Sequence, residues 1–118
     1  MNVVLRSAAP LALMGLIFYL SAQQQVGPEL PAFTRVIAHF AEYALLVALW
    51  VWALAPALGR RALLTAAVIS LLYAASDEFH QGFVEGRDSS PLDLAIDALG
   101  VVVAVGLLSR RRSRPARP

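Results

Sequence analysis

The sequence predicts an all-α protein, a four-helix transmembrane bundle whose N- and C-termini both lie in the cytoplasm. Hydrophobic residues make up 58% of the chain and charged residues only 15%, whereas soluble domains average about 45–50% and about 25%. A soluble fold of this size would leave much of that apolar surface in water. Four apolar stretches are each long enough to cross a membrane, which needs roughly 20 residues per helix.

The four predicted helices follow one another with short joining segments. They cover residues 3–22, 36–55, 62–80 and 92–109. Glycine or proline interrupts the apolar pattern in every joining segment, at 23–35, 56–61 and 81–91, where a helix is expected to end. The chain therefore divides into a four-helix transmembrane domain, residues 1–109, and a basic cytoplasmic tail, residues 110–118.

The first stretch has a second interpretation. Arg6, the apolar run 8–20 and the small residues Ser21 and Ala22 also match the pattern of a signal peptide. Cleavage would leave three spans, and the later loops would stay on the same sides of the membrane.

The distribution of arginine predicts the orientation, because cytoplasmic segments of membrane proteins are enriched in basic residues. With the N-terminus inside, the cytoplasmic segments hold eight of the ten arginines, and the exoplasmic loops hold only Arg35 and Arg87. Five of the eight lie in the tail, namely Arg110, Arg111, Arg112, Arg114 and Arg117. We expect the tail to contact anionic inner-leaflet lipids, at about 1 kcal/mol per arginine, and we expect no nucleic-acid partner.

Most other ionisable residues fall at one end of the bundle. A charge in the hydrocarbon costs about 2.5–3.5 kcal/mol, so such residues are usually paired and functional. In the predicted orientation, three helices carry polar side chains at their exoplasmic ends: His39, Glu42 and Tyr43 in the second helix, Asp77, Glu78, His80 and Gln81 in the third, and Asp93 and Asp97 in the fourth. We predict a polar pocket between these helices, open toward the outer leaflet.

Helical spacing refines this prediction. At about 100° per residue, His39 and Glu42 share one face of their helix. Asp93 and Asp97 share a stripe with Gly100, and a small residue below two carboxylates lets a neighbouring helix approach closely. The four polar residues of the third helix spread over about 160°, so one of them is expected to face the headgroups or a loop.

Several of these residues also have simpler interpretations. Ser90 is placed to cap the N-terminus of the fourth helix, with Asp93 as its capping partner. One simpler interpretation makes His39 an interfacial residue that is hydrogen-bonded to Tyr43 or to the loop. Another makes His80 and Gln81 solvated residues at the end of the third helix. Asp97 lies too deep in its helix to act as a cap, which favours a place in the pocket.

Arg87 precedes a helix N-terminus, where the helix dipole disfavours a positive charge. An acidic group is therefore expected to hold it, either Glu78, Asp93 or Asp97 within the protein, or an anionic ligand. The planar guanidinium suits bidentate pairing with a carboxylate or a phosphate.

The segment SDEFHQGFVEGRDSSPLDLAIDALG, residues 76–100, resembles the signature of the VanZ-like family, which comprises small integral membrane proteins related to the teicoplanin-resistance protein VanZ. The matching residues are Asp77, Glu78, Gln81, Gly86, Arg87, Ser90, Asp93 and Gly100. The chain departs from the family pattern at Glu85, where a proline commonly precedes Gly-Arg.

An earlier stretch, IAHFAEYALL at residues 37–46, resembles the family's helix with a histidine and a tyrosine near its start. His39 and Tyr43 carry that pattern here, and Arg35 matches a basic residue that often precedes the histidine. The resemblance implies a bacterial multi-pass protein of the plasma membrane and a link to low-level glycopeptide resistance. It does not identify a ligand, because likeness of fold does not carry function.

Three functions are compatible with these residues. The first is a membrane accessory protein whose pocket binds an anionic lipid headgroup, a lipid-linked cell-wall precursor, or a glycopeptide or lipopeptide. Its predicted ligand-binding residues are His39, Glu42, Tyr43, Asp77, Glu78, Gln81, Arg87, Ser90, Asp93 and Asp97. The second is an enzyme, described in the next paragraph. The third is a charge network that only locks the helices together.

The second function is an intramembrane enzyme that acts on a lipid-linked substrate. Neighbouring carboxylates at low dielectric ionise at different pH values, which supplies an acid and a base. The candidate catalytic residues are Glu42, Asp77, Glu78 and Asp97.

No metal site and no cofactor is predicted. His39, Glu42, Asp77 and His80 offer imidazole and carboxylate ligands, but their spacing is not a recognised metal motif. The chain contains no cysteine, which excludes disulfides and thiol chemistry. The sequence is compatible with a homo-oligomer. A transporter is less favoured, because four spans in one copy leave little room for alternating access.

Overall fold

The structure, a computed structural model, describes residues 2–22, 31–83 and 91–113. These residues form four α-helices, α1 (Val3–Ala22), α2 (Ala32–Leu58), α3 (Arg61–Gln81) and α4 (Pro91–Ser113). All four are long and apolar enough to cross a membrane, so the predicted all-α, four-helix membrane architecture is confirmed. Contacts between the helix ends show that α1 and α3 run in one direction and α2 and α4 in the other.

The helix α2 is longer than predicted at both ends, and Pro56 lies inside it rather than in a joining segment. Proline has no N–H, so the Trp52 carbonyl four residues earlier loses its usual partner. The Arg6 guanidinium of α1 donates to that carbonyl at 2.9 Å and lies 4.9 Å from the centre of the Trp52 ring. The helix therefore continues past the proline to Leu58, and the next residue, Gly59, has a φ of 54°, a conformation that favours glycine.

The helix α4 is also longer than predicted. It continues through Ser113 and so includes residues 110–113 of the segment expected to form a tail. Arginine is a good helix former, and positive side chains near a helix C-terminus interact favourably with the helix dipole. Residues 114–118 lie outside the described part of the chain.

The helix α2 forms the centre of the bundle, since it alone packs extensively against all three other described helices, most of all against α4. Its buried residues include Tyr43, Leu46, Val47 and Trp50. Large apolar side chains also remain exposed on the outer faces of the helices, among them Val4, Leu64, Leu72, Val102 and Leu107. Helices that are apolar on their outer as well as their inner faces suit a lipid environment.

A close approach between α2 and α4 sets the distance between these helices. Gly100 of α4 lies against the backbone of Phe40 in α2, and a Cβ atom at position 100 would be only 2.5 Å from the Phe40 carbonyl oxygen. Small residues at helix interfaces in membranes permit this kind of contact. Polar side chains beside this contact, His39 of α2 and Asp97 of α4, can therefore reach each other.

We expect Gly100→Ala to destabilise the bundle, because the added methyl group must push α2 and α4 apart. Overpacking of this kind costs about 1–3 kcal/mol. Gly106→Ala in the same helix is the matched control: nothing lies within 4 Å of a Cβ at that position, and a helical Gly→Ala change by itself stabilises by about 1 kcal/mol. Thermal unfolding of both variants in one detergent measures the difference, and equal melting temperatures would contradict the close contact.

Candidate functional site

Polar residues of all four helices meet at the end of the bundle where α1 and α3 end and α2 and α4 begin. We call this group the acidic cluster. Its described members are Ser21, Arg35, His39, Tyr43, Asp77, Glu78, Gln81, Asp93 and Asp97, and all of them except Arg35 are buried. The cluster occupies the place where the sequence predicts a polar pocket.

Two acid–base pairs connect α2 to α4. The Arg35 guanidinium forms an ion pair with the Asp93 carboxylate, and one turn deeper His39 Nδ1 lies 2.8 Å from Asp97 Oδ1. Both pairs join residues that are 58 positions apart. This repeated offset follows from the parallel direction of α2 and α4, since residues four apart lie on the same face of a helix.

The two pairs differ in exposure. The Arg35 side chain is 44% exposed and that of Asp93 is 7% exposed, whereas His39 is 11% exposed and Asp97 is completely buried. An ionised carboxylate only accepts hydrogen bonds, so in that state the His39 Nδ1–H donates to Asp97. The cluster thus extends from a partly exposed guanidinium to a fully buried acid.

The helix α3 adds further acids to the site. The Tyr43 hydroxyl of α2 donates to Asp77 Oδ2 at 3.3 Å. Asp77 and Glu78 are both close enough to Asp97 to interact with it electrostatically, and like charges repel each other strongly where water is excluded. Three acids from two helices therefore share one buried site.

A contact between α1 and α3 completes the cluster. Gln81 Nε2 donates to Ser21 Oγ at 3.2 Å. His80 lies outside the cluster, because its ring stacks on Phe18 of α1 with the ring centres 4.6 Å apart. Of the four polar residues at the end of α3, His80 is thus the one that faces a different neighbour. Glu42 of α2 is partly buried and lies at the edge of the cluster.

Asp77 and Asp97 each have a buried carboxylate oxygen without a hydrogen-bond partner among the residues that the structure describes. These oxygens are Asp77 Oδ1 and Asp97 Oδ2. Buried polar atoms in native proteins nearly always have a partner, and a buried charged acceptor costs more when unpaired than a neutral one. Each of these oxygens can therefore accept a hydrogen bond from a donor that enters the site.

Two predicted site residues, Arg87 and Ser90, lie outside the described residues, and so does the predicted capping of α4 by Ser90. Asp93, for which the sequence left both a cap and a place in the pocket open, forms its ion pair with Arg35 of α2.

Arg35 and Ser21 belong to the acidic cluster although neither was predicted from the sequence as a site residue. Arg35 precedes His39 by four residues, which matches the spacing between Asp93 and Asp97. Four alternating spans make α2 and α4 parallel, so this matched spacing indicates that the two bases can face the two acids, but it leaves the register of the helices open. Ser21 gives a weaker signal, since a serine at a helix end is common.

The described part of the chain does not form a metal centre. No group of three or more His, Asp or Glu side chains within it has the geometry to hold a metal ion. Two of the alternative ligands predicted from the sequence have other partners: the His80 ring stacks on Phe18, and His39 pairs with Asp97.

Residues 7–112 of the chain match the family model described as VanZ/LLP1. The matched range includes all members of the acidic cluster and most of each helix. Neither the curated proteins nor the solved structures give a significant match. The family model agrees with the resemblance of the two sequence motifs.

Removal of the buried base should cost more stability than removal of the exposed one. His39→Leu leaves the fully buried Asp97 unpaired beside other acids, and loss of one partner of a buried ion pair costs about 3 kcal/mol. Arg35→Leu is the matched comparison and should cost less, because the Arg35 side chain is 44% exposed and water can reach its place beside Asp93 once the guanidinium is gone. Chemical unfolding in detergent measures both free energies.

The double variant His39→Leu/Asp97→Leu should recover most of the loss, because replacement of both partners by apolar groups leaves no unpaired charge. A double variant that is no more stable than His39→Leu would show that the two residues do not act as a pair.

Proposed function

The chain belongs to the VanZ/LLP1 family, and we propose that this multi-pass membrane protein binds the polar end of an amphiphilic molecule in its acidic cluster. The observation that carries the proposal is the pair of buried carboxylate oxygens, Asp77 Oδ1 and Asp97 Oδ2, that have no partner among the described residues. A network that only stabilised the fold would be expected to pair its buried charges. A binding site keeps such acceptors for its ligand.

The position of the cluster suits an amphiphile. It lies at one end of four membrane-length helices, near the level that lipid headgroups occupy. The acyl part of a ligand can stay in the bilayer while its polar end enters between α2, α3 and α4. Lipid headgroups, lipid-linked cell-wall precursors, glycopeptides and lipopeptides all have suitable polar ends, and an anionic group among them would be held by Arg35 and Arg87.

The proposal includes an orientation, with both termini in the cytoplasm and the acidic cluster on the exoplasmic side of a bacterial plasma membrane. Eight of the ten arginines then lie on the cytoplasmic side, as the positive-inside rule requires. In this orientation the arginines after residue 109 are on the side where they can bind anionic inner-leaflet lipids. Binding of a glycopeptide, or of the precursor that it targets, would account for low-level resistance.

The His39–Asp97 hydrogen bond of 2.8 Å favours a second candidate function, an intramembrane enzyme that acts on a lipid-linked substrate. A histidine oriented by a buried carboxylate is a common general base. Nearby Asp77 and Glu78 would supply an acid. Release of a chemically altered lipid by the purified protein would favour this function over binding.

Native mass spectrometry of the detergent-purified protein is expected to show a bound amphiphile. Asp97→Asn, which keeps the size of the side chain and removes its charge, and Arg87→Ala should each weaken retention at least about tenfold, since a lost contact of about 1.4 kcal/mol has that effect. Arg61→Ala is the control, because Arg61 is exposed at the opposite end of the bundle.

Two results would contradict the binding proposal. One is wild-type protein that is folded yet carries no amphiphile. The other is equal loss of the amphiphile from Arg61→Ala and from the two site variants.

Introduced cysteines test the orientation, because the chain contains none of its own. Phe83→Cys, just after α3, should react with a membrane-impermeant maleimide on intact cells. Arg60→Cys, between α2 and α3, should react only after lysis. Both positions are exposed, so the reverse labelling pattern would place the acidic cluster on the cytoplasmic side.

A further inference from the structure

We infer that α1 and α3 separate at the end of the bundle that holds the acidic cluster, and that the polar end of a membrane amphiphile enters there. Two contacts define this place, which we call the α1–α3 seam: Gln81 with Ser21, and His80 with Phe18. The inference rests on the proposed binding function and adds the route to the site. The amphiphile moves sideways from the lipid, so its acyl part stays in the bilayer.

The α1–α3 seam lies beside the buried acids of α3. Gln81 is on the buried face of that helix, one turn beyond Asp77 toward the end of the bundle. Gln81 is 1% exposed and Ser21 is 4% exposed, so the two side chains cover each other in the closed arrangement. When the end of α1 moves away, Gln81 loses this cover. Asp77 is then the next polar residue that an entering group meets along α3.

The contacts that join the other helices at the cluster involve charged groups. Arg35 and Asp93 form an ion pair between α2 and α4, and the Tyr43 hydroxyl of α2 donates to the Asp77 carboxylate of α3. At the α1–α3 seam, a neutral amide donates to a neutral hydroxyl across 3.2 Å, beside a stack of two rings. Hydrogen bonds with an ionised partner are about twice as strong as neutral ones. These seam contacts are therefore easier to break than the contacts that α2 makes.

The closed α1–α3 seam also leaves two polar atoms unpaired. Gln81 Oε1 and His80 Nδ1 are both buried and have no hydrogen-bond partner among the described residues. An unpaired buried polar atom costs at least as much free energy as a neutral hydrogen bond contributes. Water or a headgroup can reach both atoms when the seam opens. The hydrogen bonds gained there offset the loss of the bond between Gln81 and Ser21.

The packing of α1 allows one end to move while the rest stays in place. It is the least buried of the four helices, and it packs against α3 less extensively than any other two helices in contact pack together. Arg6 donates to the Trp52 carbonyl, and the Tyr73 hydroxyl donates to the Met14 carbonyl. These bonds hold α1 as far as Met14. The α1–α3 seam lies in the last two turns of α1, beyond the second bond.

The surroundings of the α1–α3 seam suit an acyl chain. Phe18 belongs to the seam and is 51% exposed, and Phe79, next to His80 in α3, is 72% exposed. Ile17 of α1 is buried and becomes uncovered when the seam opens. Lipid tails are as apolar as the side chains that surround Ile17, so no hydrophobic effect between helices holds the seam closed. An amphiphile can therefore enter with its chain in contact with lipid.

Distances between spin labels test the opening without a ligand. Full-length protein in phosphatidylglycerol nanodiscs carries labels at Leu20→Cys and Phe79→Cys, next to the seam. The control pair, Val4→Cys and Leu64→Cys, lies at the opposite end of the same helices and is 60 positions apart, as Ser21 and Gln81 are. All four labelled positions are exposed. We expect two distances for the seam pair and one for the control pair. A single distance of equal width for both pairs would overturn the inference.

A reversible cross-link tests whether the opening is the route of entry. The chain has no cysteine of its own, so a bis-methanethiosulfonate linker, matched to the shorter spin-label distance, joins only the introduced pair. The cross-linked protein is placed with its co-purified amphiphile in nanodiscs of deuterated phosphatidylglycerol. Native mass spectrometry follows the loss of the original amphiphile. We expect the Leu20→Cys/Phe79→Cys cross-link to slow this loss at least about tenfold, and reduction of the linker to restore the rate.

The outcomes separate this inference from the proposed function. If the amphiphile is retained but leaves equally fast with and without the seam cross-link, entry at the α1–α3 seam is ruled out and the binding function stands. Equal slowing by the Val4→Cys/Leu64→Cys cross-link would also overturn the inference, because the effect would then not belong to one end of α1. If folded wild-type protein carries no amphiphile, the binding function fails and the route fails with it, whatever the labels show.

Discussion

The parallel contact between α2 and α4 is the constraint on which the rest of the structure depends. The backbone of Phe40 and the missing side chain of Gly100 fix how close the two helices come and at which register. That single register aligns Arg35 with Asp93 and His39 with Asp97. A shift of one residue would turn both acids by about 100° away from their partners, so a packing contact between apolar helices determines the electrostatics of the site.

The helix α3 adds negative charge to the site. Two basic groups of α2 would balance the two acids of α4, and the result would resemble an ordinary interhelical network. Asp77 and Glu78 add negative charge from a third direction, and Tyr43 offers Asp77 only a neutral donor. Buried charges contribute to stability only when their remaining hydrogen-bonding positions are satisfied. Asp77 has no basic partner among the described residues, which supports the proposed binding function over a structural lock.

The sequence predicted the four spans and the gathering of acids at one end, because span length and residue position along a helix are local properties. It did not predict that α2 continues past Pro56, since the compensating donor, Arg6, lies 46 residues away in the chain. It also did not assign Arg35 to the site, because that pairing needs the register that Gly100 sets. The sequence also did not predict which neighbour His80 contacts. Its ring stacks on Phe18 of α1, and the spacing of residues within α3 does not show where α1 packs.

The cost of an unpaired buried atom depends on its charge, and this distinguishes the acidic cluster from the middle of the bundle. Ser70 Oγ and Trp50 Nε1 are also buried without a partner among the described residues, but both are neutral, and a lost neutral hydrogen bond costs about 1–3 kcal/mol. An ionised carboxylate in the same setting costs more, because its charge has been removed from water. Imperfect packing can therefore account for the serine and the tryptophan. The free oxygens of Asp77 and Asp97 are therefore the positions in the bundle where an added hydrogen-bond donor would gain most.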